Sequence, residues 1–309
     1  DAAAMYLIPV DSVAFDDTQV AVLAELTWPG LGKGKLVVDE GNDTSYLEGR
    51  KMKGYWRHDA VIAHRATKKD DTYVQAVNTY CRALDKEGVY NCALGSHIEY
   101  DTRYRLKQTI NYDGVYMEDE VTGEGIEGHP LTSAQAIDIC ETFIKGLTDV
   151  PFELFAVGKA PGVIQDDELI LAGTNMTETG YSYALTFTRK VEGVSLLPAL
   201  GSSMSTASWR DDLYTTPVGY EEILMAVNLD GQVTNFSWSN PYAIGQRTDA
   251  QTLLSFDRIL AIAKEVLPLK YQWEEASGGK ITLDVKRIQL GYMALLQRDK
   301  LSFALTPVW

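Results

Sequence analysis

The sequence predicts an α+β protein in which capped helices pack on antiparallel sheets. Three stretches combine a helix-capping pattern with an apolar stripe, and the segments between them are rich in Tyr, Thr and Val. Tight-turn dipeptides such as Asp113-Gly114 and Asp230-Gly231 divide those segments into short strands. Because each helix precedes several strands, we expect helix-then-strands units and not alternating β–α–β units.

Composition indicates a globular chain and excludes several classes of partner. The chain has 309 residues, of which 45% are hydrophobic and 23% charged, enough to build one large domain or two ordinary ones. Its net charge of −15 argues against binding to a nucleic-acid backbone or to an anionic membrane surface. No apolar run approaches the roughly 20 residues of a membrane-spanning helix.

The first helix is predicted within residues 15–28. Asp16 and Gln19 have the spacing of a capping box, and Phe15 and Val20 have that of a hydrophobic staple. Pro29-Gly30 is expected to end this helix. Residues 1–10, which precede it, are interpreted as a loosely held lead-in.

The first part of the chain continues as strands. Residues 42–71 are polar and fit either a second helix or irregular structure, so their structure stays open. Residues 72–118 are rich in β-branched and aromatic residues and in turns, which is typical of an antiparallel sheet.

Two of the three cysteines lie in this sheet-like region. If Lys86-Glu87 form a tight turn, Cys81 and Cys92 fall opposite each other, where a disulfide is geometrically possible. Such a bond would indicate an oxidising compartment, whereas two free thiols are the alternative. The third, Cys140, lies on an apolar helical stripe and is predicted to be a buried thiol.

A linker is predicted over residues 117–130, which are acidic and rich in glycine. It divides the chain into an N-terminal domain of residues 1–128 and a C-terminal domain of residues 129–309. Gly123, Gly125 and Gly128 match a dinucleotide-binding pattern, but they do not open a helix directly and carry two glutamates between them. Dinucleotide binding is therefore rejected.

The best-marked helix follows this linker. Thr132 and Gln135 form a second capping box, and an apolar stripe then follows at helical spacing. The stripe consists of Ile137, Cys140, Ile144 and Leu147.

The second part is predicted to be mostly strands with one further helix. One alternating pattern is typical of a strand: Tyr181, Tyr183, Leu185 and Phe187 alternate with Ser182, Ala184, Thr186 and Thr188. The further helix has Ser255 as its cap and Leu254 and Ile259 as its staple, and it is expected to end at Pro268. Its predicted core-facing residues are Phe256, Ile259, Ala263 and Val266. Residues 303–309 are expected to form a buried last strand.

The chemistry-bearing residues do not form a recognisable catalytic pattern. All four histidines, His58, His64, His97 and His129, lie in the first part or its linker. His97 and Glu99 match half of a zinc-deaminase signature without its cysteine half, and a metal shared by His58, Asp59 and His64 is disfavoured against surface histidines. We therefore assign no catalytic, cofactor-binding or metal-binding residue and no cofactor.

Acidic clusters and tyrosines leave two alternatives open. The clusters could supply the carboxylate pair of a glycosidase or a weak calcium site, although adjacent acidic residues in loops are usually solvated. The 17 Tyr residues could form a binding face for peptide or sugar on exposed strands. The clusters are Glu118-Asp119-Glu120, Asp166-Asp167-Glu168, Asp211-Asp212 and Glu221-Glu222.

The second half contains a series of short motifs in a fixed order. They are Ser133-Ala134-Gln135-Ala136-Ile137, Phe187-Thr188-Arg189 within residues 183–193, residues 229–238, Leu253-Leu254-Ser255-Phe256-Asp257, Ile288-Gln289-Leu290-Gly291 and Pro307-Val308-Trp309. In these motifs the second half resembles a family of secreted lipoproteins of gut clostridia that share a domain of unknown function. More remotely, it is similar to PepSY-type modules, with their cystatin-like outline, and to the extracytoplasmic regulators YycH and YycI. The resemblance implies a bacterial, extracellular, non-catalytic protein at the cell surface, anchored through a lipidated cysteine that lies outside this chain.

The sequence thus favours a non-enzymatic binding or regulatory protein of the cell envelope, whose partner is a protein or peptide. One alternative is a carbohydrate-active hydrolase that uses an acidic residue pair, and another is a structural envelope component. A close carboxylate pair with one raised pKa, in a cleft lined by Trp, would favour the hydrolase.

Overall fold

Antiparallel sheets dominate the protein, whose structure is a computed structural model. Three sheets and only three helices account for the elements of the described residues, so the predicted α+β class of helix-then-strands units is wrong. Capping patterns mark the ends of the helices clearly in the sequence, whereas many strands form in stretches whose sequence pattern is weak. The sequence therefore led us to underestimate the strands. The structure describes residues 5–27, 42–43, 53–65, 73–84, 89–91, 95–101, 104–106, 119–120, 125–165, 176–197, 221–248, 250–270, 285, 288–296 and 303–309.

The elements follow one another in a strand-rich order. The helices are α1 (Asp17–Thr27), α2 (Ser133–Leu147) and α3 (Phe256–Lys270). None of these described helices is long and apolar enough to cross a membrane. The strands are β1 (Met5–Tyr6), β2 (Ile8–Ser12), β3 (Asn42–Asp43), β4 (Lys53–Arg65), β5 (Tyr73–Leu84), β6 (Val89–Asn91), β7 (Gly95–Asp101), β8 (Tyr104–Leu106), β9 (Asp119–Glu120), β10 (Phe152–Gln165), β11 (Met176–Val191), β12 (Val194–Ser195), β13 (Glu222–Val227), β14 (Val233–Ser239), β15 (Tyr242–Ile244), β16 (Ala250–Gln251), β17 (Gly291–Leu296) and β18 (Phe303–Val308).

The large sheet has 12 strands and runs through both halves of the chain. Its main order is β3-β4-β5-β7-β14-β13-β11-β10-β8, and β6, β9 and β12 pair at its sides. The two halves meet where β7 pairs with β14, with Ile98 opposite Trp238. Strands on both sides of the predicted boundary after residue 128 therefore belong to one sheet. The division into two domains, each folding by itself, stays a prediction.

The N-terminal segment is part of a four-stranded sheet with the order β15-β2-β18-β17. The side chains of Met5, Ile8 and Val10 are almost fully buried. For residues 5–10 the expectation of a loosely held lead-in is therefore wrong, because β2 lies between β15 and the C-terminal strand β18. Residues 1–4 lie outside the described residues. Residues 303–308 do form the predicted last strand, and Leu305 is fully buried there.

The main core lies between the large sheet and the helices α1 and α2. Helix α1 contacts β4, β5 and β7, helix α2 contacts β10, β11 and β13, and the two helices also contact each other. Both predicted capping boxes are confirmed: Gln19 Oε1 accepts from the Asp16 N–H at 2.9 Å, and Gln135 Oε1 accepts from the Thr132 N–H at 2.8 Å. Cys140 is a buried free thiol, as predicted.

A second core lies beneath the four-stranded sheet. In this core the C-terminal end of β11 and the segment around β12 contact the four-stranded sheet. Val191 and Leu196 pack there with residues from both ends of the chain. The cluster consists of Met5, Ile8, Val10, Val191, Leu196, Tyr242, Tyr292, Ala294 and Leu305.

Candidate functional site

Helix α3 carries an exposed apolar surface. Its cap is the predicted one, because Ser255 Oγ accepts from the Arg258 N–H at 3.3 Å. The helix continues past Pro268, which was expected to end it, and none of its described side chains is buried. We define the α3 surface by five side chains with large exposed fractions: Leu254 (52%), Phe256 (46%), Val266 (51%), Leu269 (60%) and Trp309 (36%).

This finding corrects the predicted orientation of the helix. Phe256 and Val266 were assigned to the core, and Leu254 to a staple against Ile259. An apolar stripe at helical spacing predicts that something covers it, but the stripe does not specify whether the cover is the same chain or a partner. The sequence therefore carries no signal that distinguishes these two cases.

The N-terminal end of α3 is held against the last residue of the described chain. The rings of Phe256 and Trp309 have centroids 5.7 Å apart, and Trp309 Nε1 donates to the carbonyl oxygen of Leu254 at 3.2 Å. Because Trp309 directly follows β18, the four-stranded sheet positions this aromatic pair. Val266 and Leu269 lie towards the other end of the helix, about 15 Å and about 20 Å along its axis from Phe256 at 1.5 Å per residue.

Charged residues of both signs lie beside the α3 surface. Among the described side chains, Asp257 and Glu265 are exposed on the helix, as are Arg258 and Lys264. Polar and charged side chains around apolar ones are the composition expected of a protein-binding patch.

The second candidate site is a buried polar cluster. It consists of Arg189, Glu221, Trp238 and Tyr242. Arg189 Nη1 donates to Glu221 Oε2 at 3.0 Å, and Trp238 Nε1 donates to Glu221 Oε1 at 3.1 Å. Glu221 is fully buried, and burial raises its pKa to about 7 although Arg189 and the hydrogen bonds act in the opposite direction. The sequence singled out Glu221 only as part of an acidic pair.

Glu221 meets one criterion of the hydrolase alternative and fails the others. Its pKa is raised and a Trp contacts it, but both carboxylate oxygens are engaged and no part of the side chain reaches the surface. A glycosidase acid must reach the glycosidic oxygen of a substrate in a cleft. Its neighbour Glu222 is partly exposed, so the adjacent pair does not act on one site. We therefore interpret the cluster as structural: its hydrogen bonds join Arg189, Glu221, Trp238 and Tyr242 in the interior of the protein.

The segment before α2 is pinned to the large sheet and not free to act as a spacer. The Tyr183 hydroxyl accepts from the Ile126 N–H at 3.1 Å and donates to the Leu131 carbonyl at 2.9 Å. Gly125 has φ +138, and a Cβ there would collide with the Tyr183 hydroxyl. This close approach explains one glycine of the rejected dinucleotide pattern.

His129 belongs to the same contact. Its Nδ1 accepts from the Leu131 N–H at 3.1 Å, and its ring packs edge-on against Tyr183 with centroids 4.6 Å apart. Burial lowers the pKa of His129, so its neutral form is favoured. We interpret His129 as a packing residue of this segment.

The remaining candidates lie apart or outside the described residues. His97 lies on β7 and is partly buried, and His58 and His64 lie on β4, where their side chains are not described. The acidic residues 166–168 and 211–212 lie outside the described residues, as do Glu118 and the side chains of Asp119 and Glu120. In the part of the chain that the structure describes, His, Cys, Asp and Glu form no group of three or more that could hold a metal ion.

Most described tyrosine side chains are buried, which weakens the idea of a tyrosine-rich binding face. Tyr183, Tyr242 and Tyr292 lie in the two cores, whereas Tyr181 is 41% exposed. Tyr100 and Tyr104 lie on β7 and β8, where their own side chains are not described.

Comparisons with protein-family models, with curated proteins and with solved structures found no match to the chain. The resemblance to secreted lipoproteins and to PepSY-type modules therefore stays a prediction from the sequence.

Proposed function

We propose that the protein is a non-catalytic binding protein of the bacterial cell envelope, and that the α3 surface binds an apolar peptide segment of a partner protein. The observation that carries the proposal is the exposure of five large apolar side chains on and beside one helix. Exposed apolar clusters rimmed by charged residues mark interaction sites, and aromatic residues such as Phe256 and Trp309 contribute strongly to binding energy.

The charge of the chain favours a basic partner segment. A net charge of −15 produces a negative potential that attracts cations and repels acidic peptides before contact. Apolar residues of the segment would therefore supply affinity at the α3 surface, and basic residues would raise the association rate.

The placement at the envelope rests on the resemblance of the second half to secreted lipoproteins. A lipid anchor outside this chain would hold the protein at the membrane. Binding of a peptide or protein is consistent both with a location at the envelope and with an exposed surface that carries no catalytic residues.

Selection from a displayed library of random peptides tests the binding proposal. Wild-type protein serves as bait, and the double variant Val266→Ser/Leu269→Ser serves for counter-selection, since both side chains are exposed and the cores stay intact. We expect the selected peptides to be apolar and basic, and to bind the double variant about tenfold or more weakly than wild type.

Leu229→Ser is the matched control, because it removes an equally hydrophobic exposed side chain from the turn between β13 and β14. This variant should bind the selected peptides like wild type. Failure to enrich any peptide, or equal binding to wild type and to the double variant, would contradict the proposal.

A further inference from the structure

The apolar side chains of α3 belong to one stripe with regular spacing. Phe256, Ile259, Ala263 and Val266 follow one another at steps of three, four and three residues, and each is at least partly exposed. Leu269 extends the stripe by three further residues and is 60% exposed. Because residues three and four apart are neighbours on a helix surface, these side chains form one stripe that winds slowly round α3, about 20 Å long at 1.5 Å per residue.

This spacing is one that a second helix can match. The side chains of two helices interlock when both carry apolar residues at alternating steps of three and four residues. An α-helix uses its backbone N–H groups internally, so α3 has no row of free N–H groups on which an extended peptide could add a strand. A helical peptide pairs its own backbone groups and needs none from α3.

Two charges of opposite sign border the stripe. Arg258 precedes Ile259 and Glu265 precedes Val266, and both charged side chains are exposed. They are seven residues apart, so they lie on one side of the helix, about 10 Å apart along its axis at 1.5 Å per residue. Charges that flank such a stripe select the partner helix and its alignment. A complementary helix carries an acidic residue opposite Arg258 and a basic residue opposite Glu265.

We propose that the segment bound by the α3 surface is an amphipathic helix of about four turns, whose apolar stripe packs along α3 and whose border carries an acidic and a basic residue seven positions apart. This inference rests on the proposed function, because it names the form of the peptide that the same surface binds. A helix of about 14 residues covers the stripe, since it spans the same length. The net charge of −15 favours further basic residues on the outer face of that helix.

Two displayed peptide libraries test the conformation of the bound segment. Both randomise the apolar stripe and its border in a helical host of about 18 residues, and the second has proline in place of alanine at one central position of the outer face, which interrupts the helix. We expect wild-type protein to enrich peptides from the first library alone. These peptides should bind Val266→Ser/Leu269→Ser about tenfold or more weakly.

The outcomes separate this inference from the proposed function. Peptides from the proline library that bind wild type as tightly, and the double variant more weakly, would overturn the helical form while leaving binding at α3 intact. If no peptide from either library distinguishes wild type from the double variant, the proposed function fails and the inference fails with it.

Exchange of charges tests the alignment along α3. In a selected helical peptide, the basic residue opposite Glu265 is changed to Glu, and affinities are measured by fluorescence polarisation. Glu265→Lys should weaken binding of the original peptide about threefold or more and bind the changed peptide more tightly than wild-type protein does. Lys264→Glu is the matched control, because Lys264 is exposed on the polar face with Asp257 and should show no such coupling. Equal coupling at both positions, or none at Glu265, would overturn the proposal.

Discussion

At the residue scale, single side chains connect parts of the chain that are far apart in sequence. Tyr183 holds Ile126 and Leu131, which lie 57 and 52 residues away. Tyr183 lies in the core, whereas Tyr181, which belongs to the same alternating set, is exposed, and the intervening Ser182 is buried. The hydrogen-bond partners of Tyr183 could not be predicted, because nothing in a local pattern specifies which distant backbone groups a buried hydroxyl will meet.

Removing the Tyr183 hydroxyl should destabilise the protein. In Tyr183→Phe the Ile126 N–H and the Leu131 carbonyl lose their partner, so we expect the free energy of unfolding to fall by about 1–3 kcal/mol. Chemical denaturation measures this change. Tyr181→Phe is the control, because Tyr181 is exposed, and it should change stability little. Equal effects of the two substitutions would show that the Tyr183 hydroxyl does not hold the segment.

At the element scale, the ends of helices were predictable and their environments were not. A capping box involves residues three positions apart, so the starts of α1 and α2 follow from the local sequence. The apolar stripe of α2 packs into the core through Cys140 and Ile144, whereas α3 leaves Phe256 and Val266 exposed. The two stripes have similar spacing, so what covers each depends on tertiary contacts alone.

The hairpin of β5 and β6 shows how much a turn can specify. Arg82 pairs with Asn91 and Leu84 with Val89, which is the register that a turn at Lys86-Glu87 requires. The predicted pairing of Cys81 with Cys92 depends on this register, although Cys92 and the Cys81 side chain lie outside the described residues.

Counting thiols tests the disulfide. If Cys81 and Cys92 are bonded, protein purified without reductant and then unfolded should show one reactive thiol, that of Cys140; if they are not bonded, it should show three, because the chain has three cysteines. In the native state Cys140 should resist alkylation, because burial raises its pKa to about 12. Three thiols after unfolding would contradict both the disulfide and the oxidising compartment that it indicates.

At the scale of the whole molecule, the order of strands depends on contacts between distant segments. The chain termini meet in one sheet, where Leu305 pairs with Ile8, and the halves meet where Phe236 pairs with Tyr100. A local pattern predicts that a strand exists but not which strand it joins, and even the existence of β2 and β4 was missed. Underestimating these strands produced the wrong fold class.

Position-specific photo-cross-linking in the organism that makes the protein tests the α3 surface most directly. A photoreactive amino acid replaces Leu269 in one variant and Leu229 in another, both exposed apolar positions. We expect one discrete partner to be cross-linked at position 269 and not at position 229, and a peptide from the cross-linked region should bind the purified protein. The same products at both positions, or none at position 269, would contradict binding at the α3 surface.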